Sequence, residues 1–146
     1  MPRPEPVLLD PRRYPHLSEL STRYSDLDPL RHLNNTAIAT LIDDARVRFT
    51  LSQGFRELIG TGRVAMIVST SVDFIGQGQY PAPVLAHAGV ESVGRTSWNI
   101  VQLLTQGGRQ LAFSRSVAVC IEAGRAVPLA EAFRACLLHV LVRDSG

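Results

Sequence analysis

Residues 34–53 read NNTAIATLIDDARVRFTLSQ, and this stretch predicts one long amphipathic helix. Its apolar residues recur at spacings of three and four, which is the pattern of a helix that buries one face. No other segment of the chain predicts a helix of this length, so a sheet has to cover the apolar face. The residues on that face are Ala37, Ile38, Leu41, Ile42, Ala45 and Phe49.

Strands are predicted around this helix by alternating apolar and polar residues, with glycine and proline between the runs. The last strand has small side chains at every second position, which lets a sheet close around a bulky element. Together these features predict an α+β fold, with a curved antiparallel sheet wrapped around a long central helix. The small residues are Ala112, Ser114, Ser116, Ala118 and Cys120. The predicted strands are residues 17–24, 64–74, 84–93, 97–105 and 111–121, and residues 129–142 are predicted as a short terminal helix.

The length of 146 residues predicts a single domain, which we assign to residues 16–146. Residues 1–15 are rich in proline and lack a hydrophobic period, so we predict a flexible N-terminal arm there, either poorly ordered or lying along an edge of the fold. The net charge of +2 is spread along the chain, which predicts no nucleic-acid binding. The apolar runs are too short to cross a membrane and no secretory leader is recognised, so we expect a cytoplasmic protein.

Cysteine and histidine show no pattern typical of a disulfide or a metal site. Cys120 and Cys136 lack a CxxC spacing, so we predict free thiols in a reducing compartment. His16, His87 and His139 are isolated from one another, and we predict no metal.

The reactive polar residues concentrate at 26–35, immediately before the long helix. The first turn of a helix has unpaired backbone N–H groups and the positive end of a dipole, which suits an anion or a polarised carbonyl oxygen. Asp28 precedes Asn35 by seven residues. A carboxylate base and an oxyanion donor are therefore close in sequence.

Several short motifs resemble the signature of the hotdog-fold acyl-CoA thioesterases of the 4-hydroxybenzoyl-CoA thioesterase type. The likeness covers roughly residues 17–138. The motifs are RYSDLD at 23–28, HLNN at 32–35, DDAR at 43–46, VGRTS at 93–97 and VPL at 127–129.

The resemblance implies a thioesterase in which Asp28 is the nucleophile or the general base, and both roles stay open. The backbone amide of Asn35 would polarise the thioester carbonyl, where one oxyanion donor contributes about 3 kcal/mol. The implied substrate is a thioester of coenzyme A or of an acyl carrier protein, with no separate cofactor. We predict further substrate contacts from Arg31, His32, Asn34, Thr96 and Ser97.

The resemblance also implies an assembly. Such enzymes pair their sheets edge to edge and place the active site at the dimer interface, and many of these dimers stack into tetramers. We therefore expect a homodimer or a homotetramer.

Two positions depart from the family pattern. Many relatives have glycine where Arg31 stands and an aromatic residue where Ile38 stands. Arg31 brings a long cation beside the predicted site, where it would meet an acidic acyl chain or coenzyme A, or fold away to solvent.

Other interpretations of the same residues stay open. Hotdog enoyl-CoA hydratases carry Asp-x-Asn-Pro-x-His, whereas this chain has Asp28 at the asparagine position and one extra residue before His32, which rotates the histidine relative to Asp26. A non-catalytic acyl-binding subunit is a further alternative, although the presence of Asp28 argues against it. The structural alternative is a turn that Asp28 starts ahead of Pro29.

Overall fold

The structure is a computed structural model, and it describes residues 4–144. Within those residues, six strands form one antiparallel sheet around a long helix. This confirms the predicted α+β fold with a curved sheet wrapped around a central helix. The strands are β1 (His16–Leu20), β2 (Arg63–Phe74), β3 (Val84–Val93), β4 (Ser97–Gln106), β5 (Arg109–Glu122) and β6 (Arg125–Ala126). The helices are α1 (Asn35–Ser52), α2 (Phe55–Leu58) and α3 (Glu131–His139).

Helix α1 is the predicted central helix. Its N-cap is Asn34, whose side-chain oxygen accepts a hydrogen bond from the Ala37 amide over 2.7 Å. All six residues of the predicted apolar face are buried. At its other end Gly54 has a φ of +69°, which turns the chain into α2, a short helix that the sequence did not predict. No helix within residues 4–144 is long and apolar enough to span a membrane.

The small residues of β5 face α1, as predicted. Ala112, Ser114, Ser116 and Ala118 are buried there. Polar contacts also join the helix to the sheet: the Gln102 amide donates to the Ile42 carbonyl over 3.0 Å, and the Arg46 guanidinium donates to the Ser116 hydroxyl over 3.3 Å. Larger side chains on this face of β5 would keep α1 farther from the sheet. The small residues therefore allow the helix to pack closely against it.

The N-terminal segment packs on the sheet. In its described part, residues 4–15, the chain forms 3-10 helices at Pro6–Leu9 and Pro11–Arg13. Leu8 and Tyr14 are buried on the face of the sheet opposite α1, and the Tyr14 hydroxyl donates to the Leu8 carbonyl over 2.7 Å. Such short turns leave no hydrophobic period for a sequence pattern to detect. The sheet residues beneath them are Val101, Leu103 and Phe113.

The strands lie in the order β1-β3-β4-β5-β2, with β6 also beside β5, so β1 and β2 are the two outer strands of this path. Strand β2 pairs with β5 along one side and has a register shift between Ile67 and Ser69. Its apolar residues Val64, Met66 and Val68 are exposed. A long apolar edge strand of this kind offers its free N–H and C=O groups to another strand.

Candidate active site

The residues before α1 form a small hairpin. Leu27 pairs with Leu33 in an antiparallel bridge, and the Asp28 amide donates to the His32 carbonyl over 2.8 Å. We call residues 26–34 the site hairpin. Its second arm runs directly into α1, so its geometry fixes Asp28 relative to the helix N-terminus.

The loop of the site hairpin has three residues, Pro29, Leu30 and Arg31. This is the arrangement in which a type I turn is followed by a residue in the left-handed conformation. Arg31 holds that position with a φ of +63°, and its amide donates to the Asp28 carbonyl over 2.9 Å. Glycine adopts this conformation without steric cost, which explains physically why glycine suits the position that Arg31 occupies here.

Side chains alternate between the two faces of the site hairpin. Leu27 and Leu33 pack into the core cluster beneath the helix N-terminus. The opposite face therefore carries Asp28, His32 and Asn34, three of the predicted site residues. Arg31 lies in the loop of the same hairpin, so the structure brings these four predicted site residues together.

The carboxylate of Asp28 is held by one oxygen. Its Oδ1 accepts hydrogen bonds from the Leu30 amide over 2.9 Å and from the His32 amide over 3.1 Å. Its Oδ2 accepts none from residues 4–144, and the residue is half-buried. The turn interpretation of Asp28 thus holds for Oδ1, while Oδ2 stays free to act on a substrate or a water.

Asp26 has a different environment, although it lies two residues away. The residue is 5% exposed, and its carboxylate accepts from the Arg23 amide over 2.9 Å and from the Arg23 guanidinium over 3.0 Å. Both carboxylate oxygens of Asp26 are therefore hydrogen-bonded to Arg23, and Asp26 stabilises the start of the site hairpin.

The N-terminus of α1 leaves donors free. Asn34 satisfies the Ala37 amide, but the amides of Asn35 and Thr36 donate to no acceptor within the described residues. A hollow of about 310 Å³ opens beside them, so a ligand oxygen has access to this end of the helix. The hollow is lined by Arg23, Ser25, Asp26, Asn34, Asn35, Thr36, Ala37 and Thr40.

Gly78 supports the site hairpin from behind. Its carbonyl accepts from the Leu33 amide over 2.8 Å. A Cβ atom at Gly78 would lie 2.6 Å from Leu33 Cδ1 and 3.1 Å from Leu111 Cδ1, so a larger residue fits only if the buried Leu33 side chain moves. In the sequence, this glycine is only one of several between two strands. Its role can be recognised only from its contact with Leu33, which is distant in the sequence.

Gln106 fixes the loop that contains Gly78. Its buried side chain accepts from the Gln79 amide over 2.8 Å and donates to the carbonyls of Gln79 and Ala82 over 2.8 and 2.9 Å. Sequence reasoning missed this residue too, because a single glutamine at the end of a strand forms no recognisable pattern.

Thr96 and Ser97 lie away from the other predicted site residues. They precede and begin β4, where the Thr96 carbonyl accepts from the Cys120 amide over 2.9 Å. Their neighbours pack with Phe49 near the C-terminal end of α1. Since an 18-residue helix is about 27 Å long, one chain does not bring Thr96 and Ser97 to Asp28.

A second, larger cavity lies near that other end of α1. It has a volume of about 540 Å³, within the range of small-molecule sites. Its walls come from the second half of α1, the first half of β2 and the core beneath them. Its lining includes Arg46, Thr50, Ile67, Trp98, Ile100 and Phe133.

The two cysteines fit structural roles, whereas His32 has a ring nitrogen that the described residues leave unused. Cys120 and Cys136 are free, as predicted, and burial raises the pKa of both thiols, which keeps them protonated and unreactive. The Nδ1 atom of His32 is buried and has no hydrogen-bond partner in the described residues. Residues 4–144 contain no group of three or more His, Cys, Asp or Glu side chains placed to bind a metal.

Comparison with known proteins agrees with this architecture. Residues 30–113, more than half of the chain, match the thioesterase superfamily. The chain therefore belongs to that superfamily, and it is a thioester hydrolase with the hotdog fold. The matched range includes Asn35 but begins two residues after Asp28, so the assignment of Asp28 depends on the geometry of the site hairpin. No curated protein matches the chain.

Solved structures with the same fold include two thioesterases. One is a thioesterase from Thermus thermophilus in complex with coenzyme A and zinc, with 27% identity, a TM-score of 0.73 and coverage of 90% of this chain and 97% of that one. A predicted thioesterase from Bacillus stearothermophilus has 26% identity, a TM-score of 0.77 and coverage of 88% and 98%. A protein from Pseudomonas aeruginosa has 24% identity, a TM-score of 0.77 and coverage of 90% and 94%, and shows the fold alone.

Proposed function

We propose that this protein hydrolyses acyl-CoA thioesters at the site hairpin. One observation supports this most: within residues 4–144, a carboxylate with a free oxygen, Asp28, is joined by a short hydrogen-bonded hairpin to a helix whose first amides, at Asn35 and Thr36, are also free. A thioester requires both an attacking oxygen and a donor for the developing oxyanion. The coenzyme A bound to the thioesterase from Thermus thermophilus supports coenzyme A as the thiol carrier.

In the proposed reaction the thioester carbonyl accepts a hydrogen bond from the Asn35 amide. Either Asp28 Oδ2 attacks the carbonyl carbon and water then hydrolyses the resulting anhydride, or Asp28 takes a proton from a water that attacks directly. In both routes the C–S bond breaks, the thiolate of coenzyme A leaves and takes up a proton, and the free acid remains. The reaction needs only the thioester and water.

We propose that two copies share the site by pairing their β2 edges. Antiparallel pairing about a two-fold axis places the Phe74 end of β2 beside the Arg63 end of its partner. The helix N-terminus of one copy then faces the cavity of about 540 Å³ in the other. This arrangement gives the acyl group an apolar pocket and brings the predicted contacts from Thr96 and Ser97 toward the opposite chain's Asp28.

A hydrolysis screen over short, long and aromatic acyl-CoAs tests the proposal, with released thiol as the readout. The matched control is Asp28→Asn, which keeps the shape of the side chain and removes its charge. We expect thiol release from the parent protein and at least about a hundredfold less from the variant. A hydratase would change an enoyl-CoA without freeing thiol, and a binding subunit would bind acyl-CoA without turnover.

The two routes for Asp28 differ in where a solvent oxygen can enter. An anhydride that is hydrolysed at the Asp28 carboxyl carbon leaves a water-derived oxygen on the protein. A single turnover in heavy-oxygen water, followed by mass spectrometry of the peptide that contains Asp28, therefore identifies the nucleophilic route when the label appears there.

A further inference from the structure

Arg31 combines an unfavourable backbone conformation with an exposed charge. Its φ of +63° places an L residue in the left-handed region, where the Cβ atom crowds the backbone. Its side chain is exposed and forms no ion pair within residues 4–144. A glycine or an asparagine would build the same loop with less strain.

The position of Arg31 is fixed relative to Asp28. Its amide donates to the Asp28 carbonyl, and the Leu30 and His32 amides on either side of it both donate to Asp28 Oδ1. The guanidinium therefore projects from a short closed loop that also holds the proposed attacking group. Strained backbone conformations cluster at functional sites, where the strained residue takes part in the function.

Neither nearby carboxylate forms an ion pair with this cation. Asp26 is already paired with Arg23, and Asp28 accepts its two hydrogen bonds from backbone amides. The N-terminus of α1 adds the positive end of its dipole on the same side of the molecule. Within the described residues, the Arg31 guanidinium thus has no ion-pair partner, and it lies beside the place where the thioester would react.

On the basis of the proposed function, we infer that Arg31 determines specificity by binding an anionic group of the thioester substrate. The ligand chemistry is a carboxylate or phosphate oxygen, which a guanidinium binds through paired hydrogen bonds. Such an anion has two possible sources: a second carboxylate at the far end of the acyl chain, or a phosphate of coenzyme A.

Four thioesters separate the two sources: butyryl and succinyl groups, each on coenzyme A and on N-acetylcysteamine, which carries no phosphate. We expect Arg31→Asn to lower kcat/KM by roughly tenfold wherever the recognised anion is present. A loss confined to both succinyl esters identifies the acyl carboxylate, and a loss confined to both coenzyme A esters identifies the phosphate. Arg31→Lys should retain part of the effect, and added salt should weaken it.

The inference is overturned if Arg31→Asn leaves all four rates unchanged or lowers all four equally. Arg125→Asn is the matched control and should change none of the rates, because it removes another exposed arginine without an ion pair to the described residues, at the start of β6. Titration calorimetry in the Asp28→Asn background measures Kd for the same thioesters without turnover. An Arg31-dependent Kd there supports the inference even if the proposed hydrolysis fails, whereas hydrolysis by the parent with identical Kd values overturns the inference alone.

Discussion

Asp28 and His32 are joined in both directions across the site hairpin: the Asp28 amide donates to the His32 carbonyl over 2.8 Å, and the His32 amide donates to Asp28 Oδ1 over 3.1 Å. The carboxylate therefore helps to build the loop that carries it. One oxygen is used for structure and the other accepts no hydrogen bond from residues 4–144, so the structural and chemical roles of Asp28 can be separated by choosing the substitution.

Asp28→Asn should abolish most thioester hydrolysis and leave the fold intact. Asparagine retains an oxygen that accepts from Leu30 and His32, but it is neither basic nor nucleophilic. We expect a loss of at least about a hundredfold in kcat, with little change in thermal unfolding by circular dichroism.

Asp26→Asn is the matched comparison and should behave in the opposite way. Asp26 accepts charge-assisted hydrogen bonds from Arg23 in a buried position, so the variant should lose about 1–3 kcal/mol of unfolding free energy and retain more activity than Asp28→Asn. If Asp26→Asn is the more inactive of the two and Asp28→Asn the less stable, the roles are assigned to the wrong residues.

Gly78→Ala should lower activity through the position of the site hairpin. The added Cβ would lie 2.6 Å from Leu33 Cδ1, so the buried Leu33 side chain has to move, and we expect the hairpin that carries it to shift with it. Because small displacements of catalytic groups are costly, we expect kcat/KM to fall by about tenfold or more. Gly89→Ala is the control, since its Cβ would lie 2.8 Å from Pro15 Cδ and 3.0 Å from Val142 Cγ2, on the face of the sheet away from α1. Equal activity of both variants would contradict this role for Gly78.

The sequence predicted the parts of the fold that local periodicity controls. Helix α1 was expected at residues 34–53 and runs from Asn35 to Ser52 with Asn34 as its cap. The small face of β5 meets the helix as predicted. The N-terminal segment was not predicted because Leu8 and Tyr14 are buried against strands that are distant in the sequence. Helix α2 was not predicted because it has a single turn, and its Phe55 is buried against the rings of Phe49 in α1 and Phe133 in α3.

The same distinction applies to the candidate site. The motif and the helix N-terminus indicated Asp28, Asn34 and Asn35 because those features are local. Gly78 and Gln106 support the hairpin through contacts that span tens of residues, so no local pattern could reveal them. The separation of Thr96 and Ser97 from Asp28 became visible only once the strand register was known.

Val68→Glu should weaken assembly without unfolding the chain. Val68 is 54% exposed and lies at the middle of edge strand β2, so two-fold pairing of β2 edges would bring two such glutamates together. The charge stays hydrated in an isolated chain, and stability should change by no more than about 0.5 kcal/mol. Light scattering at micromolar concentration should show a dimer or tetramer for the parent and a shift toward monomer, with loss of activity, for the variant.

Leu17→Glu provides the control for this substitution. Leu17 is 55% exposed on β1, the other outer strand, and a charge there should leave assembly and activity unchanged. A monomeric Val68→Glu protein with full activity would contradict a site shared between two copies.

Mild acid should destabilise the fold through His87. Burial lowers the pKa of His87 below its ordinary value of 6.5, and its ring lies 3.1 Å from the Thr105 hydroxyl. Because the unfolded chain takes up the proton first, the stabilising contribution of neutral His87 is complete above about pH 6.5 and is lost as the pH falls toward the folded-state pKa. His16, whose pKa burial also lowers, acts in the same direction. Urea unfolding should show a smaller decline in free energy between pH 7 and pH 5 for His87→Gln than for the parent, and an unchanged decline would exclude His87 as a cause.

Asn35→Pro tests the electrophilic half of the proposed site. Proline removes the backbone N–H that would polarise the thioester carbonyl, yet it suits the first position of a helix, so α1 should still form. Loss of one oxyanion donor should lower kcat by about a hundredfold or more. Asn35→Ala keeps the amide and loses only an exposed side chain, so its rate should fall far less. Circular dichroism establishes that both variants are folded before their rates are compared. If folded Asn35→Pro hydrolyses acyl-CoA at nearly the parental rate, the oxyanion donor lies elsewhere, and the amide of Thr36 and the ring of His32 are the groups to test next.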